Sequence, residues 1–415
     1  MLIQFQQTTT PQRLQLLVEH CIYGVVFFLP LSLSASTLFL TLGLLLWVTV
    51  MGLQRRLSFY RTPFDKAILL FVMLSALSIL ASPDRAFSVY NYYHLMGRYI
   101  AIYYLVIYNI TTLEQVKRLV SFLLVSAFFV TAYGFVQYFH GIDISAFEWV
   151  DGQQFPDLKI RVFSTLHNPN LLAGFLVMML AVASGIALYS RNVRLKCLLA
   201  ALAVMLGYCL VLTYSRGAWI SVLAVFAVYG ILYNKKVLWA LLAVPLLIMF
   251  SYEGVVDRLL SIVNPTDTSS ALRWALWEST LFMILYNPIM GIGWGSYWLV
   301  YPEYDFFIQN AAVTIFHAHN MYLHLAAEIG IPGFLVFLYV GYSHVKLALQ
   351  AVAAHETKWL QGLMLGIVAA YAGIAVNGLT DHVLYNIQLS MLMWLLSALI
   401  VVVWKKENIS VKKIL

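Results

Sequence analysis

Long apolar segments recur along almost the whole of this 415-residue chain, and they limit the folds that it can adopt. Hydrophobic residues make up 62% of the sequence and charged residues only 10%, a balance that no soluble domain of this length has. A helix needs about 20 apolar residues to cross the hydrocarbon layer of a membrane. The composition therefore predicts an all-α, polytopic membrane protein, with residues 1–415 forming a single integral membrane domain.

About twelve segments have this length and character. We predict transmembrane helices at residues 14–31, 34–53, 64–81, 90–109, 115–139, 168–189, 196–214, 217–233, 236–252, 332–350, 359–378 and 384–404. Residues 253–331 separate the ninth and tenth spans, and they include a helical pattern from about Ser270 to Leu285 and the glycine-rich segment Gly291–Gly295. We expect this long loop to contain short helices.

Positive charges are unevenly distributed between the two sets of loops. With a cytoplasmic N terminus, the inner loops and tails contain 18 of the 25 lysines and arginines. The outer side receives Arg85, Lys159, Arg161, Arg216, Arg258 and Arg273, and Arg98 lies within a span. Because cytoplasmic loops are enriched in Lys and Arg, we expect both termini in the cytoplasm and residues 253–331 outside. The net charge of +7 then reflects anchoring to membrane lipids of the inner leaflet, and no nucleic acid partner is needed to explain it.

Three arginines are candidates for binding an anion. Arg98 lies about two turns inside a predicted span, where a cation is costly and usually marks a pathway or a ligand; snorkelling or pairing with a carboxylate such as Asp84 is the alternative. Arg216 lies in a tight turn between two spans, where its guanidinium can donate two parallel hydrogen bonds to phosphate, unless it only caps a helix. Arg273 precedes Trp274 on the predicted helix of the long loop, and anchoring at the interface is its alternative role.

His319 is the candidate general base. It opens the helix that leads into the tenth span, where the positive helix dipole disfavours an imidazolium, and a neutral imidazole can accept a proton. A packing histidine and zinc binding by His317, His319 and His324 are the alternatives. We expect no metal, because the spacing of these histidines matches no familiar zinc site and no cysteine or carboxylate is suitably placed beside them. The Gly330-Ile331-Pro332-Gly333 segment is predicted to end one helix and start the next.

Three motifs resemble those of the bacterial O-antigen ligase family. His319-Asn320, followed after nine residues by Gly330 and after two more by Gly333, is similar to the outer-loop pattern of these ligases. Arg216, with Trp219 and Ile220, resembles the arginine motif, although leucine is more usual than Ile220. Residues 167–174, His-Asn-Pro-Asn-Leu-Leu-Ala-Gly, resemble a segment shared with related polymerases. The similarity covers the carboxy-terminal two thirds of the chain best.

The resemblance implies a metal-independent, inverting glycosyltransferase that needs no cofactor. Such an enzyme transfers a glycan from undecaprenyl pyrophosphate to a sugar hydroxyl of lipid A core, or of another glycolipid, at the periplasmic face of the bacterial inner membrane. By the same resemblance, Arg216 and Arg273 hold the pyrophosphate, Arg98 assists, and His319 activates or orients the acceptor. Residues 253–331 would carry part of the active site. Asn320, Arg161 and His317 are supporting candidates.

Two other classes of function fit the same sequence features. One is an O-antigen or exopolysaccharide polymerase, or a protein O-glycosyltransferase, with the same fold. The other is a transporter of the lipid-linked glycan. Transporters place charged groups near the bilayer midplane between repeats, whereas the candidate cations here gather toward one surface, which favours an enzyme.

Overall fold

The computed structural model describes residues 10–55, 61–141, 161–239, 268–306, 308, 314–354 and 357–412. Within these ranges the chain forms α-helices and short 3-10 turns and contains no strand. The α-helices are α1 (Thr10–Phe28), α2 (Leu33–Gln54), α3 (Asp65–Ser78), α4 (Arg85–Asn109), α5 (Leu113–His140), α6 (Pro169–Tyr189), α7 (Val193–Val211), α8 (Arg216–Leu232), α9 (Thr268–Tyr286), α10 (Tyr297–Val300), α11 (Met321–Ala354), α12 (Lys358–Asn377) and α13 (Ile387–Lys412).

Seven of the described helices are long and apolar enough to cross a membrane, which confirms a polytopic helical membrane protein. They are α2, α5, α6, α7, α11, α12 and the first 19 residues of α13. The predicted number of about twelve is not reached by this measure. The helix α3 has only 14 residues and α8 only 17, and α4 is long enough but carries Asn91, His94 and Arg98. Most of the predicted span 236–252 lies outside the described residues.

The helix α6 is the centre of the bundle. It packs against α7, α8 and α12, and 89% of its apolar stretch is buried. Small residues allow α6 and α12 to come into backbone contact: a Cβ atom built on Gly185 would lie 2.5 Å from the carbonyl oxygen of Gly362. Close approach at small residues is a common way for membrane helices to associate. The loops attached to α6 and α12 therefore start from a closely packed pair of helices.

Hydrogen bonds between distant loops gather several helix ends at one end of the bundle, which we call the site end. The Gln388 side chain donates to the Leu29 carbonyl at 2.8 Å, and the Thr165 hydroxyl donates to the Pro30 carbonyl at 2.6 Å. The backbone N–H of Met321 donates to the Gly378 carbonyl at 2.8 Å. The beginning of α11 and the end of α12 are therefore fixed together at the site end.

The helix α11 consists of two parts joined at Gly330, as the glycine and proline pattern predicts. Gly330 has φ 70° and ψ 169°, a conformation that is essentially restricted to glycine, and a Cβ atom there would overlap the Ile289 carbonyl oxygen. The glycine-rich segment passes beside this break. Its Gly293 lies against Ser82, where a Cβ atom would come within 2.7 Å of the Ser82 Cα. This segment is consequently wedged between α11 and the residues before α4.

Candidate active site

Two loops at the site end are joined by the side chain of Asn320. Its Oδ1 atom accepts hydrogen bonds from the N–H groups of Tyr322 and Leu323, both at 3.0 Å, and so caps the start of α11. Its Nδ2 atom donates to the Leu379 carbonyl at 3.1 Å. Asn320 is therefore placed as a cap and a loop connector, and it fixes the position of His319 relative to the loop after α12.

His319 lies beside Asp381, a residue 62 positions away in the chain. The Nδ1 atom of His319 is 3.2 Å from Oδ1 of Asp381, and the same carboxylate oxygen accepts the backbone N–H of His382 at 2.8 Å. The histidine backbone has φ 47°, the left-handed region that ordinary residues seldom adopt. With Nδ1–H donated to the carboxylate, Nε2 is the nitrogen available to accept a proton.

The electrostatics of the site keep Asp381 ionised. Burial by itself would raise the pKa of the Asp381 carboxyl. The hydrogen bond from His319, together with electrostatic interactions with His319, His317 and Arg273, instead holds its pKa well below the usual range. Loss of hydration lowers the pKa of the His317 and His382 imidazoles well below their usual value, and electrostatic interactions with nearby histidines add to this. These two histidines are consequently neutral at pH 7.

Arg273 acts on the cluster of His317, His319, Asp381 and His382, and the start of α8 packs against the residue before Asp381. Arg273 is on α9, and its charge acts on both Asp381 and His317. Arg216 is the first residue of α8. The next residue, Gly217, is packed so closely against the Thr380 side chain that a Cβ atom would overlap the hydroxyl oxygen of that threonine. Because Thr380 precedes Asp381, the start of α8 packs against the loop that carries this carboxylate.

Arg161 and Arg98 donate hydrogen bonds to other parts of the chain. The Nε atom of Arg161 donates to the Thr213 carbonyl at 3.0 Å, and its guanidinium also donates to Oδ1 of Asn170 at 3.2 Å. It connects the chain before α6 to the turn before α8. The Arg98 guanidinium donates to the His94 carbonyl on its own helix at 3.2 Å. In the part of the chain that the structure describes, no contact joins Arg98 to the His319 cluster, and its assisting role remains a prediction.

A group of three residues at the site has atoms that a metal ion could use. The ligand atoms of His317, His319 and Asp381 all lie within 4.8 Å of one another. We expected no carboxylate beside the histidines, and this was wrong, because folding brings Asp381 to them. His324, the third histidine of the zinc alternative, instead pairs with Glu328 at 3.5 Å. In the described geometry, Nδ1 of His317 already accepts the backbone N–H of His319 at 3.3 Å.

A large cavity lies beside the cluster, between α4, α11, α12 and α13. Its volume is about 1020 Å³, and its walls are mainly apolar and aromatic. Its polar lining includes Asn91, His324, Glu328, His382 and Tyr385. The segment after α12 thus lies between the cavity and the histidine and aspartate cluster: Asp381 contacts His319, whereas His382 and Tyr385 line the cavity.

Part of the chain matches a known protein family. Residues 200–338, about a third of the 415 residues, match the family model described as O-antigen ligase. This match supports a place for the chain in the O-antigen ligase/polymerase superfamily. A comparison with curated proteins gives no significant match.

The match also bears on the general activity. It supports a multi-pass membrane enzyme of the ligase or polymerase type that works with lipid-linked glycans and membrane lipids. The matched segment includes Arg216, Arg273 and His319. Arg98 and Arg161 lie before it, and Asp381 lies after it.

The most important site residue that the sequence did not reveal is Asp381. The available signal was the polar sequence Thr380-Asp381-His382 between two apolar runs. A carboxylate and a histidine between membrane spans indicate a functional loop, but they do not identify a partner 62 residues away. The structure supplies that partner.

Proposed function

We propose that this protein is an O-antigen ligase. It transfers a glycan from undecaprenyl pyrophosphate to a sugar hydroxyl of lipid A core, or of another glycolipid acceptor. The observation that carries the proposal is the hydrogen bond between His319 and the Asp381 carboxylate. The charge of Arg273 acts on the same carboxylate. This arrangement combines a base for the acceptor with positive charge for an anionic donor.

His319 acts on the acceptor in this mechanism. Asp381 holds the Nδ1–H group, and Nε2 takes the proton from the acceptor hydroxyl. The hydroxyl oxygen forms a new bond to the anomeric carbon of the donor while the bond from that carbon to the pyrophosphate oxygen breaks, and the electron pair leaves with the pyrophosphate. Attack from the side opposite the leaving group inverts the anomeric configuration. The His319 side chain is 31% exposed, so it can afterwards release the proton to water.

Arg216 and Arg273 act on the donor. As the glycosidic bond breaks, negative charge increases on the pyrophosphate oxygens, and fixed guanidinium groups stabilise that charge more strongly than they stabilise the bound donor. Loss of one such contact costs roughly 3 kcal/mol, or about a hundredfold in rate. Arginines in this position supply the positive charge that a metal ion supplies in other glycosyltransferases. The proposed reaction is therefore independent of metal.

The proposed location is the bacterial inner membrane, with both termini in the cytoplasm and the active site in the periplasm. Support comes from the concentration of 18 of the 25 lysines and arginines in the opposite set of loops. Lipid-linked glycans that are complete on the periplasmic face would meet the site end directly.

The proposal is tested with purified protein and a radiolabelled undecaprenyl-pyrophosphate-linked glycan, with and without core lipid A and with excess EDTA. We expect label in the core lipid, with EDTA present, and none when core lipid is omitted. The variant Arg216→Ala should lose transfer, whereas Arg191→Ala, which changes an exposed arginine in a predicted cytoplasmic loop, should retain it.

Each of the other functions gives a distinct result. Lengthening of the glycan without core lipid would identify a polymerase, and label on a protein would identify a protein O-glycosyltransferase. Movement of the donor across a vesicle membrane without any transfer would identify a transporter. Loss of activity in EDTA, restored by zinc, would refute metal independence and assign a metal to the histidine and aspartate group.

A further inference from the structure

The cavity beside the cluster differs from the cluster in its charge. None of its described lining residues is a lysine or an arginine, and its one carboxylate is that of Glu328. Both oxygens of that carboxylate are engaged, since Oε2 accepts the Gly295 N–H at 2.9 Å and Oε1 accepts the Tyr297 N–H at 3.2 Å. A pyrophosphate in this cavity would meet a carboxylate and no cation. The lining therefore suits an uncharged ligand.

Aromatic rings form one end of the cavity, which we call the aromatic end and define by Phe87, Trp298 and Phe316. The ring centres of Phe87 and Trp298 are 5.7 Å apart, and those of Trp298 and Phe316 are 6.3 Å apart. Phe316 is 58% exposed, so its ring is accessible to a ligand. Exposed aromatic faces next to hydrogen-bonding groups suit a ligand with both apolar C–H faces and polar edges.

Polar groups without partners lie close to the aromatic end. The rings of His324 and His382 are 4.5 Å apart, and both residues are at least nine-tenths buried. Their Nδ1 atoms have no hydrogen-bond partner among the described residues, and the same holds for the indole N–H of Trp294. All three residues line the cavity. Each of these atoms is covered by the surrounding protein, so a ligand would reach it only after its side chain turns. Because buried polar groups are normally satisfied, their lack of a partner is consistent with a ligand that donates and accepts hydrogen bonds.

The aromatic end is also close to the proposed base. Phe316 precedes His317 in the chain, and the ring of Tyr385, which lines the cavity, is 4.5 Å from the ring of His317. The His317 ring is in turn 4.2 Å from that of His319. A ligand at the aromatic end is thus separated from His319 by the width of one or two side chains.

We propose that the aromatic end of the cavity binds an uncharged sugar ring of the acceptor; this rests on the proposed transferase function. The sugar's C–H faces pack on Trp298 and Phe316, and its hydroxyls meet Asn91, His324 and His382. The first sugar of the donor is bonded to the pyrophosphate and stays with it on the Asp381 side of the loop after α12. The acceptor carries no pyrophosphate, so one of its sugar rings occupies the other side, while the sugar with the reacting hydroxyl extends from it to His319.

The test uses two photoreactive probes on the full-length protein in detergent. One is octyl glucoside with a diazirine on the sugar, and the other is farnesyl pyrophosphate with a diazirine on the tail. We expect the glucoside probe to label peptides that contain Trp298 or Phe316, and excess methyl glycoside to prevent this labelling. Labelling there by the farnesyl probe alone would overturn the proposal and assign the cavity to the donor tail, and labelling by neither probe would also overturn it.

Variants distinguish binding of the acceptor sugar from the transfer reaction. Phe316→Ala changes an exposed residue, so that folding is little affected, and it should abolish glucoside labelling and raise the acceptor KM about tenfold while the donor KM and kcat stay unchanged. Tyr90→Ala is the matched control, because Tyr90 is an aromatic residue of α4 with 62% exposure that does not line the cavity. An unchanged acceptor KM in Phe316→Ala would contradict the proposal. Labelling in a protein that transfers no glycan would uphold the sugar site and refute only the proposed reaction.

Discussion

The substitution Asp381→Asn tests how the base is held. It keeps the shape of the side chain and its ability to accept the His382 N–H, but it removes the negative charge beside His319. Asp381 is 7% exposed, so water cannot replace the lost charge efficiently. Without it, Nδ1–H of His319 loses a charge-assisted acceptor, and an imidazolium formed during transfer is no longer stabilised.

The expected effect follows from the role of a general base. Positioned proton transfer contributes about 10²–10⁴-fold to a rate, which corresponds to roughly 3–5 kcal/mol of activation free energy. Because asparagine can still accept one hydrogen bond from His319, we expect the lower part of this range, a fall in kcat of about a hundredfold to a thousandfold. Donor affinity should stay within about threefold, since the arginines are unchanged.

The assay measures single-turnover transfer to acceptor and, separately, equilibrium binding of the donor. Glu303→Gln removes an exposed carboxylate from the loop before His319 and serves as the control, with both measurements unchanged. Turnover of Asp381→Asn within threefold of the wild type would refute the idea that Asp381 orients and stabilises the base. Loss of donor binding together with transfer would show that its role is structural.

Three further predictions follow. Arg216→Lys should lower kcat about a hundredfold without unfolding the protein, because an ammonium cannot donate the two parallel hydrogen bonds of a guanidinium; near-normal turnover would exclude bidentate phosphate binding. Gly330→Ala should destabilise the protein by about 1–3 kcal/mol from backbone strain alone, measured by thermal unfolding, whereas Gly97→Ala, with open space around its Cβ position, should not. Burial lowers the pKa of His382 below its unfolded value, so its contribution to stability is complete above pH 6.5 and is lost as the pH falls. At pH 5.5 the protein has lost about 1.4 kcal/mol of this stability. We expect the melting temperature of His382→Gln to fall less steeply with decreasing pH than that of the wild type, and an equally steep fall would contradict this.

The sequence allowed the helical membrane fold to be predicted because its main determinant is local. Runs of about 20 apolar residues need no partner to be recognised, and the break at Gly330 follows from the glycine and proline beside it. The number of spans was harder to predict. The polar residues of α4, including Arg98, alternate in the sequence with apolar residues, so hydropathy alone does not settle whether such a helix crosses the membrane.

The candidate site could be predicted only in part for a different reason. His319 and Arg216 lie in short motifs that resemble those of a known family, and Arg273 was named from its place on the predicted helix of the long loop. Asp381 has no such motif, and its importance depends on a contact across 62 residues that the Asn320 side chain and the Met321 backbone hold in place. The cavity was also invisible to sequence reasoning, because its walls come from helices that are far apart in the chain.

Replacement of His319 tests the central claim most directly. Asparagine is the best substitute, because it tolerates the left-handed backbone at this position better than alanine does. For His319→Asn we predict donor affinity within about threefold of the wild type and single-turnover transfer slower by about 10²–10⁴-fold. Transfer at the wild-type rate, with the donor bound normally, would contradict a mechanism in which this imidazole accepts the proton of the acceptor.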